Sequence, residues 1–378
     1  MPATTTPAGW YPDPWSEALW RWFDGRHWTG HVSAAAAQQK KPRLPSFLSV
    51  PVLLAAIPSL GLLGYSLVTN PLTFVLGLVP LLIVAPVLIW MDRIEPEPWS
   101  SRLHTFLWGA FVAGLISLIA NTAFAFGTGS EVLAAVISAP IVEEITKAAA
   151  ILWMVRRKEV DGIMDGLVYA GWSALGFAVI EDISYFYLAD EQDLLWETFV
   201  GRALFTPFAH PLFTAWTGLA IGLAIRKRKS LLTAWWGLAL AIASHAAWNG
   251  SLSLAETEGG AVVTGVVIIG FVILFIATIV GVIVLRRRDA QRLIELLPHI
   301  AVRYNIAPDR AAMFMNSSAR RSARKALPNK EAKQRFDDEA GAVARLAAML
   351  DHDGTPAPEH EGRLVSQLVA AREANPSS

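Results

Sequence analysis

Four places in the chain set side chains able to move protons inside long apolar stretches. They are Glu143-Glu144-Ile145-Thr146-Lys147, the pair Glu181-Asp182, His210 between Pro207 and Pro211, and His245-Ala246-Ala247-Trp248-Asn249. Carboxylates and imidazoles are the groups of general acid–base chemistry. On a helix, Lys147 lies three residues beyond Glu144 and four beyond Glu143, so it can pair with either. The two adjacent carboxylates point about 100° apart, so at most one faces squarely into a shared site. His245 and Asn249 stand one turn apart on one face. Pro207 and Pro211 loosen the helical ladder around His210 and free carbonyls that need partners. Each cluster also has an ordinary reading: an ion pair locking two helices, a solvated helix end at Glu181 and Asp182, a structural histidine at 210, a packing carboxamide at 249.

The elements that must position these groups are transmembrane helices. Of 378 residues, 53% are hydrophobic and only 17% charged, against roughly a quarter charged in soluble domains. The shortfall is confined to Phe47–Leu285, and the fold class expected is an all-α, polytopic bundle of about eight spans. The spans read as Phe47–Val68, Pro71–Met91, His104–Phe126, Glu131–Val155, Gly162–Tyr187, Val200–Ile225, Leu231–Leu254 and Ala261–Leu285, each near the ~20 residues a bilayer requires. The first begins too deep in the chain for a cleavable signal peptide. Cysteine is absent, which excludes thiolate nucleophiles, disulfides and Cys-based metal sites. With 32 basic and 32 acidic residues, nothing favours a nucleic-acid partner.

Lys and Arg fall in alternate connections: Lys40-Lys41-Pro42-Arg43, Arg93 and Arg102, Arg156-Arg157-Lys158, Arg226-Lys227-Arg228-Lys229 and Arg286-Arg287-Arg288. The other connections carry no Lys or Arg but hold Glu191, Asp193, Glu197, Glu256 and Glu258. Basic residues accumulate on the cytoplasmic side, so a multi-pass cell-membrane protein with both ends cytoplasmic is expected. At 1.5 Å per residue, Glu143 then lies ~18 Å, His210 ~15 Å, His245 ~13 Å and Glu181 ~9 Å from the outer helix ends. The helices alternate in direction, yet all four groups fall in the outer half of the membrane. Convergence in one layer points to a single polar cavity and to hydrolysis.

At these residues the sequence resembles the PrsW family of intramembrane proteases, distant relatives of the CAAX prenyl proteases. The matching pieces are Glu143-Glu144-x-x-Lys147, Gly176-Phe177-Ala178-x-x-Glu181, His210 in its Phe-x-x-Pro context, His245-x-x-x-Asn249 and the loop Asp92–Trp99. Asp182 stands where the family pattern has Asn. The resemblance implies cleavage of membrane-anchored proteins, such as an anti-sigma factor, near the extracytoplasmic side. It implies Glu143 (or Glu144) and His210 as water activators, with His245 and Asn249 as oxyanion donors and Glu181 beside them. A divalent metal such as zinc on His210, His245 and Glu143 is the competing mechanism; no His-Glu-x-x-His spacing is present, and metal-free glutamate chemistry is the reading preferred from sequence. The rival function is a non-enzymatic transporter or receptor using the same groups for proton or ligand binding, although no internal repeat of the transporter kind is visible.

The domain organisation expected is 1–32, a Trp-rich module of β character; 33–46, an alanine-rich linker; 47–285, the membrane domain; and 286–378, a helical cytoplasmic tail. Asp24-Gly25 between aromatic runs signals a hairpin. The module resembles a short Trp-rich domain of unknown function found in bacterial membrane proteins. Its tryptophans read first as the core of a very small domain, and a cytoplasmic peptide or protein partner is the alternative. Residues 286–330 are strongly basic, which suits the anionic inner leaflet of the bilayer. Ala340–Leu350 and Leu364–Arg372 read as helices around a turn-rich break at Asp351–Pro358.

Overall fold

The computed structural model describes residues 9–12, 20–24, 26–33, 48–93, 96–255, 257–304, 306–353, 362, 364–366 and 368. Gly25, the linker from 34 to 46 together with Phe47, Ile94 and Glu95 of the Asp92–Trp99 loop, Glu256, most of the break at 351–358 and most of 364–372 lie outside them. The chain divides into two compact units, 43–93 with 97–286, and 1–42 with 94–96 and 287–378.

Three strands, β1 (Gly9–Pro12), β2 (Trp20–Phe23) and β3 (Trp28–Ser33), form an antiparallel sheet in sequence order. At the β2–β3 turn the Asp24 carboxylate accepts from the backbone N–H of Arg26 and His27 at 2.6 Å each, the local bonding that makes Asp a turn former. Phe23 and Trp28 meet across the turn with ring centroids 5.2 Å apart.

The membrane unit is helical throughout. Its elements are α1 (Val50–Thr69), α2 (Pro71–Met91), α3 (Trp99–Thr128), α4 (Ala139–Arg156), α5 (Ile163–Asp190), α6 (Leu195–Arg226), α7 (Leu231–Leu254) and α8 (Gly260–Arg303). Seven of these contain segments long and apolar enough to cross a membrane. The eighth expected span is present as helix too, in the turn Glu131–Leu133, a π-helical stretch Ala134–Ser138 and α4. Its three charges at Glu143, Glu144 and Lys147 set it apart in composition, not in length. This is a multi-pass membrane protein.

Local chemistry ends and starts the helices where the sequence provides for it. Asn70 caps α2 by accepting from the Thr73 N–H, with Pro71 in the first turn. The Asp165 carboxylate accepts from the N–H groups of Asp161 and Gly162 at 2.9 and 3.0 Å, capping α5. Gly129 closes α3 at φ +67, a left-handed conformation that glycine adopts without strain. α6 breaks at Thr206–Phe208, between the two prolines' reach, so His210 falls in the first turn of a new helix, Ala209–Arg226.

α5 is the axis of the unit, with 83% of its spanning window buried, whereas α8 is 6% buried. Glycines bring the neighbours in. A Cβ on Gly176 would stand 2.0 Å from the Phe106 carbonyl oxygen, and one on Gly166 would stand 2.2 Å from that of Gly218. α3 and α6 therefore lie against α5 backbone to backbone, the small-residue packing expected in membranes.

Beyond the membrane unit, α9 (Pro308–Met315), α10 (Ser317–Ala326) and α11 (Lys330–Asp353) share a core of Tyr304, Phe314, Phe336, Val343, Leu346 and Leu368. The Glu339 carboxylate, 1% exposed, accepts two bonds from Arg310 at 3.0 and 2.7 Å. The tail is a packed helical domain and not two isolated helices; α11 runs through the segment read as Ala340–Leu350 and begins ten residues earlier.

Candidate active site

Lys147 is the hub of a buried polar chamber. Its ammonium group, fully buried, stands 3.0 Å from Glu144 Oε1, 3.3 Å from Glu143 Oε2 and 3.0 Å from His210 Nδ1. It also lies 4.0 Å from the centre of the Phe177 ring, a favourable cation–π position. Helical spacing brings both glutamates to Lys147 despite their divergent directions, because i+3 and i+4 flank one residue.

An ammonium only donates, so His210 Nδ1 accepts from Lys147 and its Nε2 carries the proton. That Nε2 lies 2.7 Å from Glu181 Oε2. Glu181 is held in turn by Arg202, which also donates from Nε to Asp182 Oδ1 at 2.6 Å. Asp182 thus balances Arg202 on the neighbouring helix. Arg202 sits in a π-helical stretch, Val200–Phe205, and lies over the Tyr185 ring at 4.0 Å.

On the other side of the hub, His245 Nδ1 is 3.2 Å from Glu144 Oε1 and stacks on Phe213 with ring centroids 4.7 Å apart. A carboxylate only accepts, so the ring donates from Nδ1 and keeps a lone pair at Nε2. Thr214 donates to the remaining oxygen of Glu144 at 2.8 Å. His245 Nε2 lies 3.9 Å from Glu143 Oε2. Glu143 Oε1 faces the Asn121 amide at 3.5 Å, and Asn121 accepts from Ser138 at 2.8 Å. The Asn249 amide donates to the Ala135 carbonyl at 2.8 Å. Ala135 lies in the π-helical stretch, where the ladder is displaced and carbonyls are left for other partners.

The chamber opens on a cavity of about 300 Å³ lined by Glu181, Arg202, His210, His245 and Asn249, with Phe205, Trp248 and Ile268 among its apolar walls. Glu143 and Glu144 lie behind the histidines and not in that lining. All six residues singled out from sequence, Glu143, Glu144, Glu181, His210, His245 and Asn249, are therefore brought together, in two layers. Sequence reasoning missed Thr214 and Asn121. Thr214 lies four residues after His210, on the same helical face, which is a legible signal; Asn121 is a lone carboxamide in an apolar helix, which is a weaker one.

This arrangement gathers carboxylates, imidazoles and an ammonium group in one buried chamber of the membrane unit. Residues 97–279 match the PrsW family intramembrane metalloproteases, and residues 8–41 match a protein family of unknown function, DUF2510. The chain is similar to the protease PrsW of Clostridioides difficile (strain 630), at 30% identity over 156 residues, 39% of this chain and 64% of that protein. It is also similar to the protease PrsW of Geobacillus kaustophilus (strain HTA426), at 34% identity over 146 residues, 37% of this chain and 63% of that protein. The chain spans a little under two thirds of the length of each. No solved structure matches it. Both resemblances drawn from the short motifs, of the membrane domain and of the Trp-rich module, are shown by these matches.

The family's description implies a metal, and the donor set fits one. Donor atoms of Glu143, His210 and His245 all lie within 4.8 Å of one another, and all three residues are buried. One carboxylate and two imidazoles are a recurrent zinc ligand set. His245 is oriented for this role by Glu144, as ligating histidines are by their outer carboxylates. Formal charge agrees, since among the described residues the permanent cations paired with Glu143, Glu144, Glu181 and Asp182 are Lys147 and Arg202.

Proposed function

We propose that this chain is an intramembrane endopeptidase that hydrolyses membrane-anchored proteins at this chamber. The observation that carries the proposal is the convergence of Glu143, Glu144 and His210 on Lys147, with His245 bonded to Glu144 from a third helix, beside a cavity inside the membrane unit. The separation of 3.9 Å between Glu143 Oε2 and His245 Nε2 allows one water to bond to both at ~2.8 Å. Glu143 takes a proton from that water while His245 Nε2 holds it in place. This differs from the role the resemblance implies for His245, because its Nδ1 proton is committed to Glu144 and Nε2 is left as an acceptor. The second N–H of the Asn249 amide is the oxyanion donor, since the first is bonded to Ala135. The proton that Glu143 takes from the water passes to the leaving amide nitrogen, while His210, bonded to Lys147 and Glu181, holds the cavity wall in place. A bound metal would be held by Glu143, His210 and His245, with His210 giving up its bond to Lys147 or to Glu181, and would polarise the carbonyl and the water.

The alternation of basic connections supports cytoplasmic termini, and the cavity lining then includes Thr198 and Gly201 next to the acidic loop Ala189–Phe199, on the extracytoplasmic side. A substrate helix must unwind before its amides are attacked, and unwinding is cheapest near water. The reading is therefore cleavage near the extracytoplasmic end of a single-span protein, for which an anti-sigma factor is the proposed class. Mapping of new protein termini in membranes carrying the intact chain or Glu143→Gln tests it. Termini that disappear in the variant should cluster at the extracytoplasmic end of single spans; identical termini in both membranes would sink the proposal. Loss of those termini on chelation, with return on adding zinc, would assign the metal.

A further inference from the structure

Far along the sequence from the chamber, one cation of the membrane unit lies against an aromatic ring. Arg286 of α8 lies with its guanidinium 4.2 Å from the ring centre of Trp90 at the end of α2. Its Nε is buried and has no hydrogen-bond partner, and no carboxylate of the described residues pairs with Arg286. Asp92, the acid nearest in sequence to Trp90, is already engaged: its oxygens accept from the Glu97 N–H at 3.0 and 3.2 Å and from Arg102 at 3.0 Å. The exposed Arg93 adds a second positive charge, close enough to act on Arg286.

Apolar groups continue from this point along the two helices. Leu88 and Met91 of α2 pack in one cluster with Val282 and the partly buried Leu285 of α8. A fork of guanidinium donors above an apolar seam matches the two parts of a phospholipid, since guanidinium pairs with phosphate through parallel bonds and acyl chains need only an apolar wall. We propose that Arg286, laid on Trp90 and flanked by Arg93, binds the phosphate of an anionic phospholipid headgroup, whose chain lies on the seam between α2 and α8. The basic run Arg286-Arg287-Arg288 is on the side expected to face the anionic inner leaflet. The bound lipid would tie α8, the least buried of the spans, to α2.

Native mass spectrometry of the full-length protein released from detergent micelles tests this without any protease substrate. Titrated with phosphatidylglycerol, the protein should hold one adduct more tightly than with phosphatidylcholine. Arg286→Gln should weaken that adduct about 5-fold, and Arg93→Gln with Arg286→Gln about 25-fold, at roughly 1 kcal/mol per cation. Lys227→Gln, at another basic connection, should leave it unchanged, and thermal unfolding in the same detergent confirms that each variant is folded. Equal binding of the two lipids, an unaffected Arg286→Gln variant, or an equal loss in Lys227→Gln would each overturn the proposal. Displacement of the lipid by inorganic phosphate at matching concentrations would show a free-anion site and overturn the lipid assignment.

Discussion

The membrane unit holds two buried clusters of charge, and they differ in what is left over. Around Asp92, the Glu97 N–H and Arg102 fill the Asp92 carboxylate, and the Tyr169 hydroxyl donates to Glu97 Oε2 at 2.6 Å. The result is a strapped turn at the start of α3, and none of these residues lines the cavity. Around Lys147, by contrast, the pairing is incomplete on one side. His245 Nε2 keeps a lone pair, the Asn249 amide keeps a second N–H, and both residues face a cavity. Burial of charge is common to both and so does not mark chemistry. Unfilled hydrogen-bonding capacity beside accessible space does.

Substitutions can break this contrast. The largest effect is expected at His210 and His245, where alanine should lower cleavage of a substrate found by terminus mapping by ~10²–10⁴-fold, the range for a lost acid–base group. Both variants should remain folded in detergent, read by a cooperative thermal transition, so that the loss is one of rate per folded molecule. The reverse is expected at the strapped turn. Asp92→Ala leaves Arg102 and the Glu97 N–H without their acceptor and should destabilise by about 2–4 kcal/mol, read by thermal unfolding in detergent. Its rate per folded molecule should change less than about twofold. If Asp92→Ala abolishes cleavage in folded protein, the division between the two clusters is wrong.

The smallest effect sharpens the contrast through pH. Burial, and next the Asp165 charge, push the Glu97 carboxyl well above its ordinary value. The folded chain then keeps a proton that the unfolded chain releases. Stability from this group is full below the ordinary glutamate range and is lost as pH rises towards the raised value. Glu97→Gln keeps an acceptor for Tyr169 without the charge. It should unfold at a higher temperature than the intact chain at pH ~8, with the difference vanishing near pH ~4. A constant difference across that range would remove the titration of Glu97 from the account.

Much of the molecule follows from the sequence alone. Apolar length and the helix-terminal residues determine the helices, and i+3 and i+4 spacing makes Lys147 the natural partner of both glutamates. The proline pair announces the break before His210. Depth counting places the acid–base residues in one layer, and they do share one chamber. The tail's packed core was not legible, because its apolar residues are spread over segments up to sixty-four residues apart, from Tyr304 to Leu368.

What only the tertiary structure decided is the division of labour inside the chamber. Periodicity gives the direction of a side chain around its own helix, but not how that helix is rotated against its neighbours. That rotation is set where Gly176 meets Phe106 and Gly166 meets Gly218, contacts between residues far apart in the chain. In the packed unit Glu144 faces His245 and Thr214, Glu143 faces Asn121, and Asp182 faces Arg202. Two adjacent carboxylates that read alike in the sequence thereby become, on the proposed reading, an orienting group for a histidine and the base that faces its free nitrogen.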